Sequence, residues 1–260
     1  MLVDSHCHLD LLDLHSFSGG LVGVIDAARE QGVTHLLCVA INLENYPRML
    51  SLVEGCAEVS VSVGVHPNER GGHEPAPGEL VDHAAHPRVV AIGETGLDYF
   101  RSEGELEWQR ERFRNHIRAA KQAGKPLIVH SRDAKEDTLA ILREEDAGEA
   151  GGVMHCFTDD WEMAKRAMDL NFYISFSGIV TFNSARELMD VARRMPVERM
   201  LVETDCPYLA PAPHRGKPNQ PAYVRHVAEH IANLRGESFE SIAATTTANF
   251  MRLFNPAAPV

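Results

Sequence analysis

Val3-Asp4-Ser5-His6-Cys7-His8, near the start of the chain, is a short extended run that carries two histidines two residues apart. Side chains alternate between the two faces of a β-strand, so His6 and His8 point to the same side and could share one cation. A lone pair of this kind is more often a solvated turn than a metal site. The metal interpretation therefore depends on further ligands at the ends of later strands.

Seven more short apolar runs follow this first one, separated by amphipathic helical patterns. The predicted strands cover residues 2–6, 33–40, 59–65, 89–94, 126–130, 151–156, 172–177 and 199–203. The predicted helices lie near residues 20–31, 44–56, 78–85, 104–123, 134–146, 159–170, 183–195 and 220–235, with a further helix near 238–254. Eight alternating units favour an α/β fold, a closed (β/α)8 barrel with an extra C-terminal helix, over an open doubly wound sheet.

The composition is that of an ordinary globular protein. The chain has 260 residues, of which 44% are hydrophobic and 24% charged, enough to bury a large core. No repeat, low-complexity tract or linker marks a boundary, so we expect one domain over residues 1–260. The exposed faces carry no apolar stripe strong enough to indicate an obligate protein partner.

The charge and the cysteines limit the possible partners and the compartment. The net charge of −12 repels polyanions, which excludes a long duplex-binding groove and leaves local basic patches or bound cations to hold a nucleic acid. No segment resembles a membrane span, and the motif at Asp4 leaves no room for a cleaved signal peptide, so we expect a cytoplasmic protein. Five cysteines without a Cys-x-x-Cys pair indicate reduced thiols.

Residue types that bind metals stand at the ends of most predicted strands. In a barrel these ends meet at one mouth. Each residue alone could cap a helix or bond to a loop, but this many buried polar groups at one mouth would cost stability unless they had a role. We therefore assign six residues as ligands of divalent metal: His6, His8, Glu94, His130, His155 and Asp205.

These six residues suffice for two cations with open positions for water and substrate. A mixed nitrogen and oxygen set suits Zn²⁺, Mn²⁺ or Fe²⁺ and, with more water, Mg²⁺. Glu94 is the predicted bridge, since a carboxylate can offer one oxygen to each ion. Glu203 faces the same side as Asp205 and is predicted to orient a ligand or a water molecule.

Three cysteines directly follow predicted ligands: Cys7, Cys156 and Cys206. A neighbour of an inward-pointing residue on a strand points outward. We therefore expect these thiols to pack between strand and helix rather than to bind metal.

With these motifs assembled, the chain resembles the TatD family of metal-dependent deoxyribonucleases, within the amidohydrolase superfamily of barrel hydrolases. The resemblance spans nearly the whole chain and implies hydrolysis of DNA phosphodiesters with two divalent ions (Mg²⁺, Mn²⁺ or Zn²⁺) on the six ligands above. Glu94 fits the family pattern, whereas several related hydrolases use a modified lysine there. The segments that carry the resemblance are Asp4-Ser5-His6-Cys7-His8-Leu9-Asp10, Ser62-Val63-Gly64-Val65-His66-Pro67, Gly93-Glu94-Thr95-Gly96-Leu97-Asp98-Tyr99, Leu127-Ile128-Val129-His130-Ser131-Arg132, His155-Cys156-Phe157, Glu203-Thr204-Asp205-Cys206-Pro207-Tyr208-Leu209 and Arg215-Gly216-Lys217-Pro218-Asn219.

The roles expected on this basis divide into chemistry and binding. Asp205 accepts the proton of the attacking water, while His66 and Arg132 stabilise charge on the phosphate oxygens. Arg215 and Lys217 contact a flanking phosphate or sugar, unless they are only a solvated loop. An acidic protein with a confined mouth should prefer DNA ends or single strands, so we expect an exonuclease.

Two alternatives remain open from the sequence. The same metal pair could serve a deacylase or esterase, for example a D-aminoacyl-tRNA deacylase. The chain could also be a non-catalytic metal-binding scaffold, although its complete ligand set counts against this. Comparing turnover of an oligonucleotide and an aminoacyl ester would separate the first alternative from a nuclease.

Overall fold

A computed structural model describes residues 1–256, and its eight strands form one parallel sheet in chain order. The last four residues of the expected 1–260 domain lie outside this description. The strands are β1 (Leu2–Cys7), β2 (Val33–Cys38), β3 (Val59–Val63), β4 (Val89–Asp98), β5 (Leu127–Arg132), β6 (Gly152–Met154), β7 (Phe172–Phe176) and β8 (Met200–Val202).

Helices connect the strands and cover the outside of the sheet. They are α1 (Leu21–Glu30), α2 (Tyr46–Val53), α3 (Pro77–Ala84), α4 (Glu107–Ala123), α5 (Lys135–Glu144), α6 (Trp161–Asp169), α7 (Arg186–Arg194), α8 (Val224–Arg235) and α9 (Phe239–Phe254). No helix among residues 1–256 is long and apolar enough to cross a membrane.

The sheet closes where its last strand meets its first. Just beyond β8, the Asp205 amide donates to the His6 carbonyl, and the His8 amide donates to the Cys206 carbonyl, both at 2.9 Å. The eight strands thus form a nearly closed barrel, which confirms the predicted (β/α)8 fold and its extra C-terminal helix.

The largest difference from the predicted strands is at β4, which continues to Asp98 rather than ending at 94. Its second half pairs with β5 from Thr95 to Asp98 and is buried throughout, although Glu94 and Gly96 interrupt its apolar pattern. The backbone ladder rather than side-chain hydrophobicity therefore sets the length of this strand. One consequence is that Asp98 belongs to the same strand as Glu94.

The barrel interior is apolar at the end where the strands begin. Residues near the strand starts, such as Val3 and Val90, pack there against Phe250 and Phe254 of α9. The two phenylalanine rings have centroids 4.8 Å apart, and both side chains are buried. Helix α9 therefore closes this end of the barrel, and the polar residues of the chain's motifs lie at the other end.

Candidate metal centre

The structure brings the six predicted ligands together at the mouth where the strands end. Three stand on strands: His6 on β1, Glu94 on β4 and His130 on β5. His155 directly follows β6, and Asp205 lies three residues beyond β8. A cavity of about 780 Å³ opens over them; five of the six line it, and the buried ring of His6 stacks on that of His155 with centroids 3.8 Å apart.

One group of side-chain atoms, the first cluster, consists of His6 Nε2, His8 Nε2, Asp205 Oδ1 and Glu94 Oε2. The two imidazole nitrogens are 3.3 Å apart, His6 Nε2 lies 3.4 Å from Glu94 Oε2, and His8 Nε2 lies 3.4 Å from Asp205 Oδ1. The two remaining measured separations are 3.8 and 3.9 Å. Ligands bound at about 2.1 Å in a tetrahedron lie about 3.4 Å from one another. The spacing of His6, His8 and Asp205 therefore fits a single small cation, and Glu94 Oε2 lies beside both imidazoles.

A second cluster surrounds the other oxygen of Glu94. Its Oε1 lies 2.8 Å from His155 Nε2, 3.1 Å from His130 Nδ1 and 3.3 Å from His66 Nε2. Glu94 thus has one oxygen in each cluster. This is the arrangement expected of the predicted bridging carboxylate.

Glycines in β4 allow Glu94 to reach this position. Gly93 and Gly96 have φ angles of 146° and 126°, in the region that favours glycine. A Cβ atom on Gly93 would lie 2.6 Å from the Ile128 carbonyl oxygen, and one on Gly96 would overlap the His130 carbonyl oxygen. β4 therefore approaches β5 closely, and this brings Glu94 into contact with His130.

In three of the histidines, the ring nitrogen that faces away from the clusters has a hydrogen-bond partner, and this partner indicates which nitrogen can bind a metal. His8 Nδ1 lies 3.0 Å from the Val39 carbonyl, His130 Nε2 lies 3.2 Å from Asp98 Oδ2, and His155 Nδ1 lies 3.2 Å from Glu203 Oε1. Since each of these partners is an acceptor, the ring nitrogen beside it carries the proton. The opposite nitrogen of each ring faces a cluster, where the neutral ring would offer its lone pair to a metal, as metal-binding histidines do.

His66 has the reverse arrangement. Its Nδ1 accepts a hydrogen bond from the Asn68 amide at 3.0 Å, so in the neutral ring Nε2 carries the proton. Burial lowers the pKa of His66, which keeps the ring neutral. His66 Nε2 is therefore a hydrogen-bond donor at the edge of the second cluster, and its role in binding substrate stays a prediction.

Helix α4 holds the loop that carries His66. The buried His116 accepts the Val65 amide at 2.9 Å, and its other nitrogen lies 2.8 Å from the Arg112 carbonyl. Arg112 donates to the His66 carbonyl at 2.7 Å. Burial lowers the pKa of His116 to about 4, so it is neutral in the folded protein. Sequence reasoning did not find these supports.

Asp98 is the other functional residue that sequence reasoning missed. Besides His130, its carboxylate accepts the Asn68 side chain at 2.7 Å and the Arg101 amide at 2.9 Å. Despite burial, these contacts hold the pKa of Asp98 below its usual value. The available signal was the spacing of Glu94, Gly96 and Asp98 on one face of a strand, which becomes apparent only if β4 is taken beyond 94.

The carboxylates of the two clusters are anionic. Burial would raise the pKa of Glu94, but the neighbouring imidazoles, His155 first and then His66 and His130, hold it well below its usual range. The pKa of Asp205 is also lowered against the effect of burial, first by its bond to His8. Both side chains are therefore ready to bind a cation at neutral pH.

One buried nitrogen without a hydrogen-bond partner indicates that the second cluster fits a metal. His155 Nε2 is buried and, among the described residues, has no hydrogen bond of acceptable geometry, although Glu94 Oε1 is 2.8 Å away. Buried polar atoms normally have a partner, because leaving one unsatisfied costs about 1–3 kcal/mol. A cation between His155 Nε2 and Glu94 Oε1 would satisfy both atoms. The nitrogen and oxygen donors suit Zn²⁺ or Mn²⁺, and His6, His8, Glu94, His130, His155 and Asp205 together offer enough donors for two ions.

The predicted substrate-binding residues Arg132, Arg215 and Lys217 differ in whether they line the cavity. Arg132 lines the cavity, with its guanidinium carbon 3.9 Å from the centroid of the Phe100 ring. Arg215 stacks over Phe182 at 4.3 Å on the loop after β8, and neither it nor Lys217 lines the cavity. A contact between either residue and substrate stays a prediction.

The three cysteines divide into two environments. Cys7 and Cys206 are fully buried, as predicted. Cys156 is not packed behind its strand: β6 ends at Met154, Cys156 has a φ of 43°, and its side chain lines the cavity near Ser177. The expectation of packing is wrong for Cys156 because the alternation of a strand does not continue past the strand's end.

Comparisons with known proteins agree with this architecture. The family model described as TatD related DNase matches residues 3–255. The uncharacterized metal-dependent hydrolase YcfH of Escherichia coli K12 is 51% identical over 255 residues, which cover 98% of this chain and 96% of YcfH. The 3′-5′ ssDNA/RNA exonuclease TatD of Klebsiella pneumoniae is 34% identical and the match covers 89% of this chain and 90% of the relative. The crystal structure of YjjV, a TatD homologue from Escherichia coli K12, superposes with a TM-score of 0.90 at 30% identity and 98% coverage of both chains.

Proposed function

Since the chain belongs to the TatD-related DNase family and is a metal-dependent hydrolase, we propose that it hydrolyses phosphodiester bonds at the ends of single-stranded DNA. The observation that carries the proposal is the position of Glu94 between two clusters, beneath a cavity whose wall includes Arg101 and Arg132. The name of the Klebsiella relative, a 3′-5′ exonuclease, supports the same substrate class. The cytoplasm is the compartment that we expect for this activity.

We propose two divalent ions as cofactors, one in each cluster. His6, His8 and Asp205 would hold the first, His130 and His155 the second, and Glu94 both. When bound, such ions act as Lewis acids and lower the pKa of water from 15.7 to about 7. Glu203 keeps the His155 ring oriented through Nδ1 and also accepts the Cys156 amide at 2.7 Å.

The side chains of the protein would accept the proton of the attacking water and bind the phosphate oxygens. Asp205 is partly exposed to the cavity and anionic, so it can accept the proton of the attacking water. The guanidinium groups of Arg132 and Arg101 can each hold two phosphate oxygens. His66 Nε2–H can donate to a third oxygen as negative charge develops there.

The alternatives are weaker on the same evidence. An aminoacyl ester has fewer anionic oxygens to occupy a wall that carries two arginines, so we prefer a phosphodiester to the deacylase substrate. A non-catalytic scaffold would not need a cavity over its metal groups. Activity on an aminoacyl ester, without activity on any oligonucleotide, would reverse this choice.

The test is an assay of purified protein loaded in turn with Mg²⁺, Mn²⁺ and Zn²⁺. We expect shortening of an end-labelled single strand to be faster than nicking of closed circular DNA. Asp205→Asn should abolish that shortening because it removes a ligand and the proton acceptor. Faster nicking of closed circles would contradict an exonuclease, and near-normal turnover by Asp205→Asn with its metals retained would contradict the role of Asp205.

A further inference from the structure

Two aromatic side chains at the mouth of the barrel are unusually exposed. Phe100 is 61% exposed and Tyr208 is 54% exposed. Every other phenylalanine, tyrosine and tryptophan in the described part of the chain is buried or half-buried. Single exposed apolar side chains are common on protein surfaces. Here both exposed aromatic rings lie at the same end of the barrel, so their position rather than their exposure needs an explanation.

The two rings lie on opposite sides of the candidate metal centre. Phe100 comes two residues after the end of β4, and Tyr208 lies on the loop after β8. In a ring of eight strands in chain order, β4 and β8 stand across the barrel from each other. Both clusters lie between these strands, because Glu94 comes from β4 and Asp205 follows β8.

Each ring also contacts a residue of the centre or of its cavity. The Tyr208 ring centroid is 6.4 Å from that of His8, and Tyr208 lines the cavity. One face of Phe100 carries the Arg132 guanidinium at 3.9 Å, and Arg132 lines the same cavity. The large exposed fraction of Phe100 leaves much of its ring open to a further planar partner.

We propose that Phe100 and Tyr208 bind the two nucleobases that flank the scissile phosphodiester, one on each side of the centre, by stacking. The proposal rests on the proposed phosphodiesterase function and names the recognition element of that site. Proteins that bind single strands combine cationic groups with aromatic rings on which bases stack, and arginine adds a cation–π contribution. A base inside a duplex is covered by its neighbours, so Phe100 and Tyr208 would accept only unpaired nucleotides.

The test compares two oligonucleotides of equal length and charge, one intact and one abasic at its two terminal positions. Wild-type protein should cleave the intact strand with the lower KM. Phe100→Leu and Tyr208→Leu should each raise the KM for the intact strand about five- to hundredfold, mostly at unchanged kcat, and should affect the abasic strand less. Tyr208→Phe, which keeps the ring, should restore binding. Met251→Leu, an exposed position on α9, is the control and should behave as wild type.

A spectroscopic readout separates stacking from a structural role. A 2-aminopurine base at the terminal position, joined by a slowly cleaved phosphorothioate, should lose fluorescence on binding to wild-type protein and keep it with both leucine variants. Equal KM values of wild type for intact and abasic strands would overturn the stacking proposal and leave the phosphodiesterase function standing. Failure of the metal-loaded wild type to cleave either strand would instead contradict the proposed function.

Discussion

The two ends of the barrel bury opposite kinds of side chain. Where the strands begin, Phe250 and Phe254 of α9 fill the interior with apolar rings. Where the strands end, buried and half-buried imidazoles and carboxylates surround Glu94. Burying apolar surface stabilises a fold, whereas burying polar and charged groups costs free energy. The comparison indicates that one end supplies stability and the other supplies the candidate chemistry, so substitutions should affect them separately.

The largest effect is expected from Glu94→Gln, at the polar end. It removes one anionic oxygen from each cluster, so we expect metal content to fall and kcat/KM on single-stranded DNA to drop at least about a thousandfold. The circular dichroism spectrum should stay that of the folded barrel. A variant that has lost its fold together with its activity would contradict the separation of the two ends.

Phe250→Ala, at the apolar end, should show the opposite result. Its ring is fully buried between Phe254 and His35, and losing such a ring typically costs about 3–5 kcal/mol. We expect urea unfolding to report that loss, while metal content and kcat of the folded variant stay within about twofold of wild type. A large fall in kcat at full folding would show that the two ends are coupled.

A smaller effect is expected from Asp98→Asn, which acts on the centre through His130. Asparagine can still accept the hydrogen bond from the Arg101 amide. It no longer offers an anionic oxygen to the Nε2–H of His130. Loss of such a supporting carboxylate typically costs about ten- to a hundredfold in metal affinity or activity. Titration with Zn²⁺ measures the affinity. Asp137→Asn, which removes a carboxylate bonded to the Tyr99 hydroxyl, is the matched control and should leave the affinity unchanged.

The smallest expected effect is the pH dependence of stability that His116 contributes. His116 lies on α4 and supports the loop that carries His66. Its pKa is about 4 in the folded protein and about 6.5 when unfolded, so the unfolded chain binds the extra proton as the pH falls below 6.5. The stability that neutral His116 contributes is complete above that pH and declines toward pH 4, by about 1 kcal/mol between pH 6 and pH 5.

Urea unfolding in EDTA at pH 6 and pH 5 should show this decline. His116→Gln, which can still accept the Val65 amide but does not titrate there, should lose that part of the pH dependence. An equal pH dependence in the two proteins would mean that His116 is already protonated in the fold.

The sequence predicted the barrel because apolar runs and amphipathic stretches alternate along the whole chain. It placed His6, Glu94 and Asp205 at one mouth because the ends of parallel strands meet there. The extension of β4 to Asp98 was not predictable from hydrophobicity, since Glu94 and Gly96 break the pattern while backbone pairing with β5 continues.

Other features depend on the direction of a side chain, which a linear pattern does not contain. His66 stands as close to Glu94 as the predicted ligands do, but its hydrogen bond from the Asn68 amide makes it a donor. Cys156 lines the cavity because β6 ends one residue before His155. Such orientations depend on local backbone geometry and on contacts between distant segments, and they require the three-dimensional structure.

The seam between β1 and β8 also sets an order of events on the ribosome. The second cluster consists of Glu94, His66, His130 and His155, and all four residues have been synthesised once the chain has reached residue 155. The first cluster is complete only after Asp205 has been synthesised. Asp205 follows β8, the strand that closes the barrel against β1. During translation, His6 and His8 are therefore the first of the predicted ligands to leave the ribosome, but the cluster that they belong to is the last to be completed. Its completion coincides with closure of the barrel.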